Sequence, residues 1–163
     1  MAIIIQPFNM ADIKDSYEFL LDTFAISFGG DKSKWPNNLG DYSLEKFSEH
    51  FAAILKKDSE AIYSVWDSGK LIGQIDLKIS RKNSPDCGYV AFYYLLPEYR
   101  NRGLGALLDR HAVEVFKENG LLKAQLTVSE LNLRGIKFYE KNGWRQLGPD
   151  SDRPLGILME KEL

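Results

Sequence analysis

The sequence predicts a mixed α+β domain, and three observations carry that prediction. Segments with helical spacing alternate with segments of β-branched or alternating apolar residues, in the order β-α-α-β-β-β-α-β-α-β-β. One segment, 88–96, is apolar or aromatic on both faces and suits a strand covered on two sides. After it, strand, loop, helix and strand follow in the order of a parallel crossover.

Composition bounds the rest. The chain has 163 residues, 44% of them hydrophobic, which fits one globular domain over 1–163 able to bury a core without staples. With 21 Lys+Arg against 23 Asp+Glu, the net charge of −2 argues against a nucleic-acid binder held by a general basic field. The single cysteine, Cys87, excludes an internal disulfide framework and suits a reducing compartment. Met1 to Pro7 lacks a basic leader and a long apolar core, and no apolar run reaches the roughly 18 residues of a membrane span. A cytoplasmic location, with no membrane and no nucleic-acid partner, is the expectation.

Ile3-Ile4-Ile5 is a first strand stopped by Pro7. Asn9 with Asp12 reads as a helix start of the capping-box kind, followed by Ile13, Tyr17, Leu20, Leu21 and Phe24 at helical spacing. From 27 to 42, Gly29-Gly30, Trp35-Pro36, Asn37-Asn38 and Gly40 write a loop that carries aromatics. Ser43 caps a second helix with Leu44, Phe47, Phe51, Ile54 and Leu55 on one face.

A strand over 61–66, the turn Asp67-Ser68-Gly69 and a strand over 70–80 form a hairpin. In the second strand Leu71, Gly73, Ile75, Leu77 and Ile79 share one face, and Lys70, Gln74, Asp76 and Lys78 the other. The turn over 81–86 is polar, and Pro97 ends the apolar strand that follows. Leu104, Leu107, Leu108, His111, Ala112, Val115 and Phe116 form a helix stripe closed by Asn119-Gly120. A strand over 124–128 comes next. Asn132 caps a short helix with Ile136, Phe138 and Tyr139, closed by Asn142-Gly143. Strands over 144–147 and 157–162 finish the chain, and pairing at their edge would support a homodimer.

The chemistry concentrates in Arg100-Asn101-Arg102-Gly103-Leu104-Gly105, between a strand and a helix. Its glycines let backbone N–H groups approach a ligand, the helix N-terminus adds partial positive charge, and two arginines add reach. That combination seats a phosphate or pyrophosphate. A nucleoside-triphosphate loop needs Gly-Lys-Ser/Thr, which Gly105-Ala106-Leu107 lacks; a dinucleotide fingerprint needs Gly or Ala where Leu108 stands.

Arg100-x-x-Gly103-x-Gly105 after a strand and Pro97 resembles the acetyl-coenzyme A pyrophosphate loop of the GNAT-family N-acetyltransferases. The resemblance continues through Leu126-Thr127-Val128-Ser129-Glu130-Leu131-Asn132 and Phe138-Tyr139-Glu140-Lys141-Asn142-Gly143-Trp144. The ending Met159-Glu160-Lys161-Glu162-Leu163 is similar to a family ending.

The resemblance implies a central mixed, mostly antiparallel sheet with helices on both faces and a splayed parallel strand pair, 89–96 with 124–128. It implies acetyl-CoA as co-substrate, held by Tyr93, Leu95, Leu96 and Pro97, by Arg100, Asn101, Arg102, Gly103, Leu104, Gly105 and Ala106, and by Asn132 and Tyr139. The backbone N–H of Leu95 is then the oxyanion donor, and Tyr139 the general acid for the departing thiolate. The implied activity is acetyl transfer to a primary amine of a small molecule or peptide by direct attack in a ternary complex. A noncatalytic acyl-CoA-binding or regulatory domain on the same fold is the alternative.

Phe28, Trp35 and Tyr94 are candidates for the acceptor side, though Phe24, Phe28, Trp35 and Tyr42 equally suit a satellite core under the early loop. Asp22, Asp31, Asp41, Asp150 and Asp152 would give an acidic mouth for a cationic amine, or serve only as turn residues. No residue stands out as general base. His111 lies on an apolar helix face, His50 lacks a partner at metal-ligand spacing, and Cys87 has no activator nearby. No metal site is expected.

Overall fold

A computed structural model describes residues 1–79, 81 and 83–163. Ser80, the last position of the strand expected over 70–80, and Lys82, in the turn expected over 81–86, lie outside the described residues. Seven strands form one mixed sheet in the order β1-β2-β3-β4-β5-β7-β6. They are β1 (Ile3–Pro7), β2 (Ile62–Asp67), β3 (Lys70–Lys78), β4 (Cys87–Leu95), β5 (Lys123–Ser129), β6 (Arg145–Pro149) and β7 (Gly156–Glu162); the helices are α1 (Ile13–Phe28), α2 (Leu44–Lys57), α3 (Leu104–Glu118) and α4 (Leu133–Lys141). The expected element order holds throughout. The chain divides into two compact units, Met1–Gln74 with Tyr94–Glu98, and Ile75–Tyr93 with Tyr99–Leu163.

In the first unit β1 runs antiparallel to β2, from Ile3 opposite Asp67 to Pro7 opposite Tyr63. The strand ends at Pro7, as expected, with Pro7 itself its last paired residue. The sheet tolerates it because β1 is an edge strand, where a missing N–H costs no ladder bond. Asn9 does not open α1: its side chain accepts from Ala11 N and starts a 3-10 turn over Met10–Asp12, and α1 begins at Ile13. The helix also runs past the expected loop start, to Phe28, and ends where Gly29 turns to φ 89°. The loop beyond holds two short 3-10 segments, Lys32–Lys34 and Pro36–Asp41. Ser43 caps α2 as expected, accepting from Lys46 N. Phe8, Phe47, Phe51, Ala61 and Ile62 form the buried cluster, with Phe47 and Phe51 ring centroids 4.2 Å apart.

The alternation read in β3 needs correction. Ile72 is fully buried and Gln74 is 2% exposed, so the face expected to be polar is covered too. Third place of seven in the sheet explains this, since an interior strand is a candidate for cover on both faces.

In the second unit β4 runs parallel to β5, from Cys87 opposite Lys123 to Val90 opposite Leu126. There the pairing stops, although β4 continues to Leu95 and β5 to Ser129. The parallel pair is splayed, as the resemblance implied. The separated part of β5 stays in register with β7, up to Ser129 opposite Gly156, so only one edge of it opens. β6 then pairs with β7 across an irregularity between Gln146 and Gly148. Buried on α3 are Leu104, Leu108, Asp109, Ala112, Val115 and Phe116. Leu107 and His111, expected on that stripe, are only half-buried, and Asp109 occupies a core position instead. Gly88 lets α3 approach: a Cβ there would lie 2.5 Å from the Phe116 ring.

Candidate active site

Within the second unit, the loop before α3 is built to present backbone N–H groups. Asn101 and Gly103 both adopt the left-handed region, at φ 61° and 80°. Gly103 is the N-cap residue of α3, and no side chain caps the helix. The first N–H groups of a fifteen-residue helix thus face outward without an internal acceptor from a cap. Open space surrounds the Cβ position of Gly103, whereas a Cβ at Gly105 would meet Phe138 of α4 at 2.9 Å. One glycine serves the turn and the other the approach of α4. Arg102 lies 5.7 Å from the Tyr99 ring, and Asn101 accepts from Arg134 Nη2 at 3.0 Å. A helix N-terminus without a side-chain cap, with cations beside it, suits an anionic ligand.

Asn132 accepts from Gly135 N at 2.9 Å and is the N-cap of α4. Tyr139 lies on α4, half-buried, with ring centroids 6.3 Å from Tyr93 and 6.0 Å from Trp144. Burial, then the negative charge of Asp109, then Tyr89, hold its phenol above the ordinary value of 10.0. Tyr139 is therefore protonated at neutral pH.

Asp109 is a buried carboxylate beside Tyr93 that the sequence reading did not single out. It is 2% exposed and accepts from Trp144 Nε1 at 2.9 Å, Lys161 Nζ at 2.8 Å and the Tyr93 hydroxyl at 3.3 Å. Burial first, and Asp109 next, push the Tyr93 phenol well above its ordinary value. The available signal was a carboxylate beside Leu108 on an otherwise apolar helix stripe.

The other expected site residues belong to the first unit. Tyr94 is buried, stacks on Phe19 at 4.5 Å and donates from its hydroxyl to Asp22 Oδ2 at 2.7 Å. Trp35 is 5% exposed, edge-on to Phe24 at 5.4 Å, and its Nε1–H donates to the Gly29 carbonyl at 2.7 Å. It holds the loop after α1 closed. Phe28, half-buried, lies 6.3 Å from Phe24. Leu95 is 9% exposed at the end of β4, and the Leu96 N–H donates to the Ile72 carbonyl at 2.8 Å.

Burial pushes the Cys87 thiol up, and no group of three or more possible metal ligands occurs among the described residues. Among those residues no helix is long and apolar enough to cross a membrane. Asp150 is tied both to β5 and to its own loop: it accepts from the Thr127 hydroxyl at 2.5 Å and from Asp152 N at 2.9 Å.

Known proteins share this architecture. PaiA N-acetyltransferase from Thermoplasma acidophilum, solved in complex with coenzyme A, matches with a TM-score of 0.79 at 24% identity, over 100% of both chains. An uncharacterized N-acetyltransferase of Methanocaldococcus jannaschii is 25% identical over 109 residues, 64% of this chain and 48% of its own length. Mycothiol acetyltransferase of Corynebacterium glutamicum is 27% identical over 110 residues, 68% of this chain and 36% of its own. The chain thus spans less than half the length of these two relatives. The sequence profile of the acetyltransferase (GNAT) family matches residues 27–144, well over half of the chain, and the chain belongs to that family.

Proposed function

We propose that this protein is an acetyl-CoA-dependent N-acetyltransferase acting on a primary amine of a small molecule or peptide by direct attack in a ternary complex. The observation that carries the reading is the uncapped, glycine-opened N-terminus of α3 in the same unit as the opened β4–β5 pair and a protonated Tyr139.

Acetyl-CoA, when bound, supplies an activated thioester carbonyl. The N–H groups of Gly103 to Ala106, with Arg100 and Arg102, hold the negative charge of its diphosphate. The strand edge from Tyr93 to Pro97 and the side-chain amide of Asn132 orient the pantetheine arm. The backbone N–H of Leu95 donates to the carbonyl oxygen as charge develops there. The amine nitrogen forms its bond to the carbonyl carbon, the carbon–sulfur bond breaks, and Tyr139 delivers its phenolic proton to the leaving sulfur. The proton shed by the amine passes to solvent, and the Tyr139 phenol is reprotonated from it. Phe28, Trp35 and Tyr94 shape the acceptor side.

Release of free thiol from acetyl-CoA across a panel of amines tests the proposal. The expected result is acceptor-dependent release, with Tyr139→Phe lowering kcat by roughly 10²-fold and leaving the KM for acetyl-CoA within about twofold. Unchanged turnover in Tyr139→Phe at saturating acetyl-CoA removes the acid role. Tight coenzyme binding without acceptor-dependent release across the panel shows a noncatalytic binder instead.

A further inference from the structure

Three cations converge on one tyrosine ring of the second unit. Lys78 Nζ lies 5.6 Å from the Tyr89 centroid, Arg81 Cζ 5.0 Å and Arg153 Cζ 5.4 Å. They come from the end of β3, the segment after it and the β6–β7 loop, so the fold, not local sequence, assembles them. Together they line a pocket of about 330 Å³. Like charges gathered this way repel one another, and both desolvation and the two arginines lower the Lys78 pKa.

Two carboxylates, Asp150 and Asp152, line the same pocket, and Arg153 acts on Asp150, so three cations face two acids and one positive charge is in excess. Asp150 spends its two oxygens on the Thr127 hydroxyl and the Asp152 N–H, and Asp152 accepts from the Ser151 hydroxyl at 3.4 Å. Arg81 donates to Gln125 Oε1 at 3.1 Å and to Cys87 Sγ at 3.6 Å, both uncharged acceptors. Among the described residues none of the three cations forms an ion pair.

The place of the pocket in the sheet gives it a use. Tyr89 opposes Gln125, one step before the β4–β5 pairing ends. Its hydroxyl donates to Thr127 at 3.0 Å, on the part of β5 that β4 has left. The Tyr139 phenol is within electrostatic reach of Tyr89. The pocket therefore adjoins the opening where the proposed chemistry occurs.

We propose that Lys78, Arg81 and Arg153 anchor a carboxylate or phosphate group of the acceptor, which makes the acceptor an amine that also carries an anionic group. This rests on the acetyltransferase reading and replaces the acidic mouth expected from Asp150 and Asp152. A group of this kind fits about 330 Å³ together with a few further heavy atoms, and the arginines offer it paired N–H donors.

The test uses the full chain at saturating acetyl-CoA and matched acceptors: phenylalanine against phenylalaninamide, phosphoethanolamine against ethanolamine, and spermidine. The anionic member of at least one pair is expected to exceed its partner by about tenfold or more in kcat/KM, and the pair that does so separates carboxylate from phosphate. Arg153→Gln and Lys78→Gln are expected to raise its KM by about tenfold with the KM for acetyl-CoA unchanged. Lys117→Gln, at an exposed position near the end of α3, controls for net charge.

Turnover of the panel with no anionic preference, or with spermidine preferred, overturns the anchor while leaving the acetyltransferase reading intact. Should no acceptor turn over, phosphate and acetate are titrated into coenzyme-saturated protein with ¹⁵N-labelled arginine. Saturable shifts of the Arg81 and Arg153 side-chain resonances, lost in Arg153→Gln for the remaining arginine, uphold the anion site independently of catalysis. No shift at tens of millimolar of either anion overturns it.

Discussion

Asp109→Ala removes the carboxylate that three side chains of the second unit contact. Asp109 is 2% exposed, and the Lys161 side chain that pairs with it at 2.8 Å is 21% exposed. Without Asp109, a largely buried ammonium loses its counter-charge, and Trp144 Nε1 and the Tyr93 hydroxyl lose their acceptor. Breaking one side of a buried ion pair costs about 3–5 kcal/mol, which already includes part of the hydrogen-bond loss, so the three contacts do not add. At about 2–4 °C per kcal/mol for a chain of this size, Tm should fall by roughly 6–20 °C, read by calorimetry or circular dichroism. Asp109→Asn keeps an acceptor for Trp144 and should cost less. It has a second readout, because the Asp109 charge helps raise the Tyr93 and Tyr139 phenols. In folded Asp109→Asn, the last part of the tyrosine ionisation followed by absorbance should move to lower pH than in the wild type. An Asp109→Ala protein with native fold and Tm within about 2 °C of wild type would refute the idea that this carboxylate organises the cluster.

Gly88→Ala places a methyl group 2.5 Å from the fully buried Phe116 ring; overpacking of this kind costs about 1–3 kcal/mol, and a lower urea midpoint at unchanged slope is the expected result. Glu160, 5% exposed, accepts from Gln125 at 2.9 Å and pairs with Arg145 at 2.7 Å and Lys123 at 3.3 Å, and its pKa lies below 4.5 for these reasons, the Gln125 hydrogen bond first. A depressed carboxylate stabilises the fold fully above its unfolded value and loses that contribution as pH falls through the folded value. Glu160→Gln should therefore unfold at lower temperature than wild type at pH 7, with the gap narrowing as pH drops below about 4.5; a gap that stays constant down to pH 3 contradicts the assignment.

What the sequence by itself determined was local. Ser43 capping α2, Asn132 capping α4, the central place of β4 and the glycine-opened turn at Gly103 each depend on signals held within a few residues, because capping, periodicity and left-handed backbone are short-range effects. The turn over residues 100–105 was legible for the same reason. Tertiary structure decided the partners. No local pattern marks Gln74 as buried, Asp109 as the acceptor of Trp144 and Lys161, or β7 as the strand between β5 and β6. Nor does any sequence spacing bring Lys78, Arg81 and Arg153 around Tyr89. Which polar groups meet depends on strand order and register across dozens of residues, and the charge character of a pocket follows from those meetings rather than from the charges a loop carries.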